Sequence, residues 1–290
     1  MLLLLLCIMC NVVLAVIFKY FDKFKVDNLQ AIVVNYIVCV LFASALMGES
    51  AIPLDLFATD WWPYSLTLSF LFIVGFNIMA LSFQKSGVAL TAIIQKMSLI
   101  IPASVAIAVY GEPLQWAKGL GIVLALIAIV LVNIPSKDSD SKFSIFQPLI
   151  VYPLITFLLS GIIEVILYYV EVEGIVGDDG AKFTATAFGM AATLGFLFAA
   201  FRAIKDAQYP GIKELIGGVT LGLPNYLSIY LLVVLLSQGW EGSRLFPLNS
   251  IAILIMTALI GFIFYKEQPD KMKVTGILLG VGAIVLLSFF

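Results

Sequence analysis

The stretch GEPLQWAKGLGIVLALIAIVL, residues 111–131, lines up without a gap on KEQPDKMKVTGILLGVGAIVL, residues 266–286. The two lie 155 residues apart: Glu112 falls on Glu267, Lys118 on Lys273, Gly121 on Gly276, and Ile129-Val130-Leu131 on Ile284-Val285-Leu286. Apolar identities arise readily by chance between greasy segments, so the shared acidic turn and the shared glycine carry the comparison. Earlier parts of the two halves match only in pattern, as Val12-Val13-Leu14-Ala15-Val16 does with Ile162-Ile163-Glu164-Val165-Ile166. A period this long, with a turn and an apolar run in each copy, is read as an internal repeat.

The rest of the chain has the same texture. It is 62% hydrophobic and 12% charged over 290 residues, with a mean hydropathy of +1.11, against about 25% charged in ordinary soluble domains. At about 20 residues per membrane-spanning helix, that suffices for nine or ten spans. Long apolar segments near 2–18, 28–47, 64–84, 88–109, 115–134, 147–170, 183–201, 212–237, 243–265 and 271–289 alternate with short polar or Gly/Pro-marked breaks. The expectation is an all-α polytopic membrane protein of ten transmembrane helices. Residues 1–135 form one five-helix repeat, 136–146 a connecting loop and 147–290 a second repeat. The N-terminus has no basic region and no small-residue cleavage site, so it reads as a first helix and not as a signal peptide.

Five is odd, so the second copy must cross the membrane upside down, giving a 5+5 inverted repeat. The charges agree. Loops after odd-numbered segments hold Lys19, Lys23, Lys25, Lys85, Lys137, Lys142, Arg202, Lys205, Lys213, Lys266, Lys271 and Lys273, whereas loops after even-numbered segments hold Lys118, Lys182 and Arg244. Basic residues mark the cytoplasmic side, which puts both termini outside; a cell membrane, a bacterial inner membrane, is the expected location. Trp61 and Trp62 fit an interfacial aromatic belt.

Several function classes fall away. Histidine is absent, which removes the commonest general base and metal ligand, and no phosphate-binding loop is present. A membrane enzyme or sensor therefore stays remote, and no catalytic residue, metal or cofactor is expected. The net charge of −2 gives no reason to expect nucleic acid. Cys7, Cys10 and Cys39 lie in apolar runs and read as packing residues.

The turn that closes the fourth segment of each half, Tyr110-Gly111-Glu112-Pro113 and Tyr265-Lys266-Glu267-Gln268-Pro269, resembles that of the drug/metabolite transporter superfamily, EamA-type ten-helix branch. The second copy departs from the pattern by Gln268. The resemblance covers the whole chain. It implies a 5+5 inverted-repeat carrier of small metabolites, amino acids or related solutes, usually an exporter.

Charges at membrane depth are functional candidates by default, and only Lys96 and Glu164 lie well inside the segments. Ser160, Glu164, Tyr168 and Glu171 share one face of the sixth segment. Leaving water penalises the Glu164 carboxylate and a neighbouring ammonium offsets the penalty. A carboxylate held between these effects can exchange a proton or cation as its site opens to either side. Glu164-Val165-Ile166 resembles the membrane-embedded glutamate of the small multidrug resistance proteins, related four-helix exporters; the repeat-mate segment has Asn11 and no acid. Two plainer readings stand beside this one. Lys96 can snorkel toward an interface, or the two charges can pair and simply hold helices together.

Thr91, Gln95, Ser98 and Pro102 line a polar face beside Lys96, and Gln95 and Ile94 map onto Ser250 and Asn249 of the ninth segment. Asn77, Gln84, Asn225, Ser228, Tyr168, Tyr226 and Tyr230 add polar and aromatic groups. The expected substrate-binding set is Asn11, Asn77, Gln95, Lys96, Tyr168, Asn225, Tyr226, Asn249 and Ser250, with Glu164 as the coupling group and a cavity between the two repeats. An organic-anion or phosphorylated-metabolite exchanger built on Lys96 and Arg244 is the alternative. Gly121-x3-Ala125 and Gly276-x3-Gly280-x2-Ala283 are small-residue faces suited to close packing, within the chain or in a homo-oligomer. The expected partners are thus a small-molecule substrate, the lipid bilayer and a second copy of the chain.

Overall fold

A computed structural model describes residues 1–86, 88–133, 151–206, 211–264 and 271–289. No β-strand occurs among the described residues. The helices are α1 (Leu2–Phe24), α2 (Asn28–Met47), α3 (Trp62–Ser86), α4 (Val88–Lys96), α5 (Ile100–Ala108), α6 (Trp116–Asn133), α7 (Val151–Val172), α8 (Gly180–Asp206), α9 (Ile212–Ser237), α10 (Gly242–Phe264) and α11 (Lys271–Phe289). A 3-10 turn, Met97–Leu99, joins α4 to α5, so the fourth segment of the sequence reading is a single rod with a tightened middle. Pro102 explains the tightening. It has no N–H to offer the Ser98 carbonyl one turn back, and its ring crowds that carbonyl.

Among the described residues, seven helices are long and apolar enough to cross a membrane, and shorter apolar stretches run over Leu2–Phe18, Ile93–Ala108 and Trp116–Val132. Large side chains such as Leu41, Phe196, Leu197 and Leu278 are more than 60% exposed. Water would penalise so many exposed apolar groups; a hydrocarbon surround does not. An integral membrane protein is the class these helices suit.

The first turn between helices shows how sharply local sequence acts. Lys25 adopts the left-handed φ of 50°, the Val26 N–H closes back on the Phe21 carbonyl at 3.0 Å, and α1 stops. Asp27 then caps α2, accepting the Gln30 N–H at 3.1 Å.

The chain gathers into two compact units, and neither is a continuous piece of sequence. Unit 1 comprises Met1–Val74 with Tyr169–Gln238, and unit 2 comprises Gly75–Tyr168 with Gly239–Phe290. In unit 1, α2 packs on α8 and α9, and α1 packs on α9. Gly218 and Gly222 let α9 lie directly on Val34 and Val38 of α2. Within that seam the Asn225 amide donates to Asn35 Oδ1 at 3.3 Å, and the Cys39 thiol donates to the Gly222 carbonyl at 3.3 Å.

In unit 2, α6 packs along α11, and α10 packs on α5, α6 and α11. Both small-residue faces lie inside this unit. Gly121 abuts Leu287, Gly276 abuts Leu131 and Val132, and Gly280 abuts Ile251 and Ile255. Ala125, Ala128 and Ala283 are fully buried.

Candidate functional site

Unit 2 holds both deep charges. Lys96 is the last residue of α4, at the point where the rod tightens, and Glu164 stands in the middle of α7. Each is partly buried and each lies in the electrostatic field of the other. No hydrogen bond joins them among the described residues, and Glu164 Oε2 is buried with no hydrogen-bond partner. What brings them together is a close helix approach. Gly161, one turn before Glu164, has no side chain, and Ile101 of α5 fills the space: a Cβ there would sit 2.8 Å from Ile101 Cβ. Ser82 of α3 and Thr91 of α4 share a buried hydrogen bond of 2.8 Å, and the Gln95 amide donates to Met79 Sδ at 3.2 Å. Asn77 and Asn249 are half-buried in α3 and α10, and Ser250 is buried.

The unit 1 candidates have their own partners. The Asn11 amide donates to the Cys7 carbonyl at 2.9 Å, within its own helix. Tyr226 is fully buried; its hydroxyl donates to the Ala181 carbonyl at 3.4 Å and its ring stacks on Tyr230. Asn225 is engaged with Asn35.

Tyr168 belongs to a polar clasp that the sequence reading did not foresee. It is 3% exposed, and its hydroxyl donates to Glu112 Oε1 at 2.6 Å. The same carboxylate accepts the backbone N–H of Gly242 at 2.7 Å and of Ser243 at 2.9 Å, as well as the Ser243 hydroxyl. Glu112, the acid of the repeated turn, thus satisfies the first free N–H groups of α10 and complements its dipole. The aromatic ring of Tyr168 lies so close to Gly242 that a Cβ there would meet it at 2.7 Å.

Lys118 completes the clasp. The sequence placed it among loop residues, yet its side chain is 1% exposed and bonds Glu241 at 2.5 Å and Ser243 Oγ at 3.1 Å. Glu214 is a second buried charge that the sequence pattern does not reveal. It accepts the backbone N–H of Asp27 at 3.1 Å and of Gly211 at 3.0 Å, tying the starts of α2 and α9 together in unit 1. Both lie near helix ends, where charge is ordinarily solvated, so position along the chain gave no sign of their burial. Arg244 lies over the Trp240 ring, 5.8 Å from its centroid, and donates to the Ser288 carbonyl, while its Nε is buried without a partner.

No family sequence profile matches the chain. An uncharacterized protein of Haemophilus influenzae is 25% identical over 97% of this chain and 96% of its own length. A protein of known crystal structure superimposes with a TM-score of 0.76 over 98% of this chain and 94% of its own, at 16% sequence identity. At that identity the likeness is one of fold.

Proposed function

We propose that this chain is a secondary transporter of small amphipathic metabolites, of the drug/metabolite type, working by alternating access and coupled to protons or another cation through Glu164. The single observation that carries the reading is a mid-helix carboxylate with a buried, unsatisfied oxygen in the field of a lysine on a neighbouring helix. Leaving a buried carboxylate oxygen without a donor costs about 1–3 kcal/mol or more, and a fold keeps such a group where a proton, cation or substrate completes it in turn.

The packing supports the inverted repeat. If the second to fifth segments correspond to the seventh to tenth, then repeat-mates touch: α2 packs on α8, α5 on α10 and α6 on α11. Pairing of equivalent helices is what a pseudo-twofold axis in the membrane plane produces. The charge distribution supports a cytoplasmic location for the loops after α1, α3, α6, α8 and α10 and both termini outside; export as the direction rests on the family resemblance alone. An organic-anion exchanger is the second reading, favoured by the unpartnered Nε of Arg244 together with Lys96.

Reconstitution into proteoliposomes separates these. For a coupling role, Glu164→Gln retains substrate binding and loses the response to an imposed pH gradient; an unchanged response rules the role out. For a substrate-anchoring role, Lys96→Met abolishes the melting shift that amino or organic acids produce. A preserved shift means that Lys96 only balances the charge of Glu164.

A further inference from the structure

The helix that carries Glu164 is loosely held. Among the described residues, no helix packs along α7 as α11 packs along α6 or α9 along α2. In unit 2, α7 touches α5 where Ile101 fills the space beside Gly161, and its far end is held by Tyr168. Gly161, Glu164 and Tyr168 follow one another at three and four residues, so they share one side of the helix. Glu164 and Tyr168 are about 6 Å apart along its axis. Glu164 Oε2 is buried without a hydrogen-bond partner, so a proton or cation reaches it only if something moves.

The clasp that holds Tyr168 has a fixed part and a detachable part. Glu112, from the turn between α5 and α6, accepts the N–H groups of Gly242 and Ser243 at the start of α10. Lys118 of α6 holds Glu241 and Ser243. These groups belong to α6, α10 and their adjoining turns, and the two helices pack on each other. Tyr168 is the part that comes from α7. It gives one hydroxyl bond to Glu112, at 2.6 Å, and T-shaped ring contacts to Tyr110 and Phe246, at centroid distances of 5.3 and 6.3 Å. Its ring also lies against Gly242, where a Cβ would leave it no room.

Withdrawing Tyr168 strands no charge. The Glu112 carboxylate keeps its two backbone donors and the Ser243 hydroxyl. Glu241, 38% exposed, brings the clasp to water, which can take the vacated place on the carboxylate. A contact that is strong when made, yet leaves nothing unsatisfied when broken, is what a reversible catch requires.

We infer that Tyr168 is the bolt of an extracytoplasmic gate: when its hydroxyl leaves Glu112 and its ring leaves Gly242, α7 swings about Gly161 and Glu164 opens to the outer face. The inference rests on the carrier reading above and on the orientation that the charges support. Tyr168 and Glu112 are then positioning residues, which control access to Glu164 without handling the proton.

Cysteine labelling of intact cells tests it. Cys7, Cys10 and Cys39 are buried, so Glu164→Cys offers a single target to a membrane-impermeant maleimide. Adding Tyr168→Phe, which removes the hydroxyl bond and keeps the ring, should speed labelling at least about tenfold, because a hydrogen bond to a charged acceptor no longer favours the closed form. Adding Gly242→Ala instead, which pushes the ring away, should speed it as well. Ser160→Cys, on the same face of α7, gives the same comparison with the Glu164 carboxylate intact. Ala283→Cys, at a fully buried position of α11, is the reference and should stay unlabelled in every background. Unchanged labelling at positions 160 and 164 would overturn the inference. So would equal acceleration at position 283, because the variants then loosen the whole protein. The labelling needs no substrate and no gradient. Unchanged labelling beside an intact response to a pH gradient removes the bolt and leaves the carrier, whereas accelerated labelling in a chain that answers no gradient upholds the bolt and removes the carrier.

Discussion

At the scale of single residues, the most instructive ion pair is Lys118–Glu241. Its members are not equivalent: Lys118 is 1% exposed and Glu241 38%. Removing the accessible partner strands a charge in the interior, whereas removing the buried partner leaves a carboxylate that water can solvate. Glu241→Ala should therefore lower stability by about 3 kcal/mol or more, and Lys118→Met by about 1 kcal/mol or less. Thermal unfolding of both purified variants checks this, and equal losses would show that Lys118 does not depend on Glu241. The sequence made Lys96 and Glu164 stand out because depth in an apolar run is a one-dimensional property. Lys118 escaped because its burial comes from Glu241 and Ser243, more than 120 residues away. Glu112 was noticed as the acid of a repeated turn, but its work on Gly242 and Ser243 is visible only when α10 is in place.

For the helices, segment positions were legible and their internal breaks were not. The limits 28–47, 212–237 and 271–289 agree with α2, α9 and α11, since apolar run length and flanking polar residues act locally. The 3-10 turn at Met97–Leu99 follows from Pro102, which the sequence displayed only as part of a polar face. Glycines show the same limit. Gly119 and Gly218 both sit in apolar helices, yet a Cβ on Gly218 would come within 2.5 Å of the Ala31 carbonyl oxygen, whereas one on Gly119 would meet only Leu114 Cδ1 at 3.6 Å. Gly218→Ala must push α9 off α2 and should cost about 1–3 kcal/mol. Gly119→Ala should be neutral or gain up to about 1 kcal/mol, because alanine favours the helix. Melting temperatures of the two variants in the same detergent discriminate the cases, and a harmless Gly218→Ala would count against the α2–α9 contact.

On the scale of the whole molecule, sidedness is the property to test. Cys7, Cys10 and Cys39 are all buried, so the native chain should resist a membrane-impermeant maleimide until it is unfolded. That gives a silent background for single cysteines at exposed positions. Glu49→Cys and Asp178→Cys should label in intact cells, and Lys25→Cys and Lys205→Cys only after permeabilisation; the reverse pattern inverts the orientation. The interleaving of the two units has a further consequence, for biosynthesis. A ribosome delivers α1 and α2 long before it delivers α8 and α9, yet these four helices make up most of unit 1. Asn35, fully buried in the finished protein, meets its partner Asn225 only 190 residues later. Until then the Asn35 side-chain oxygen has only the Cys39 thiol of its own helix to accept from. The order in which this chain is born is not the order in which it closes, and α1 and α2 made without α8 and α9 would lack the helices on which they pack.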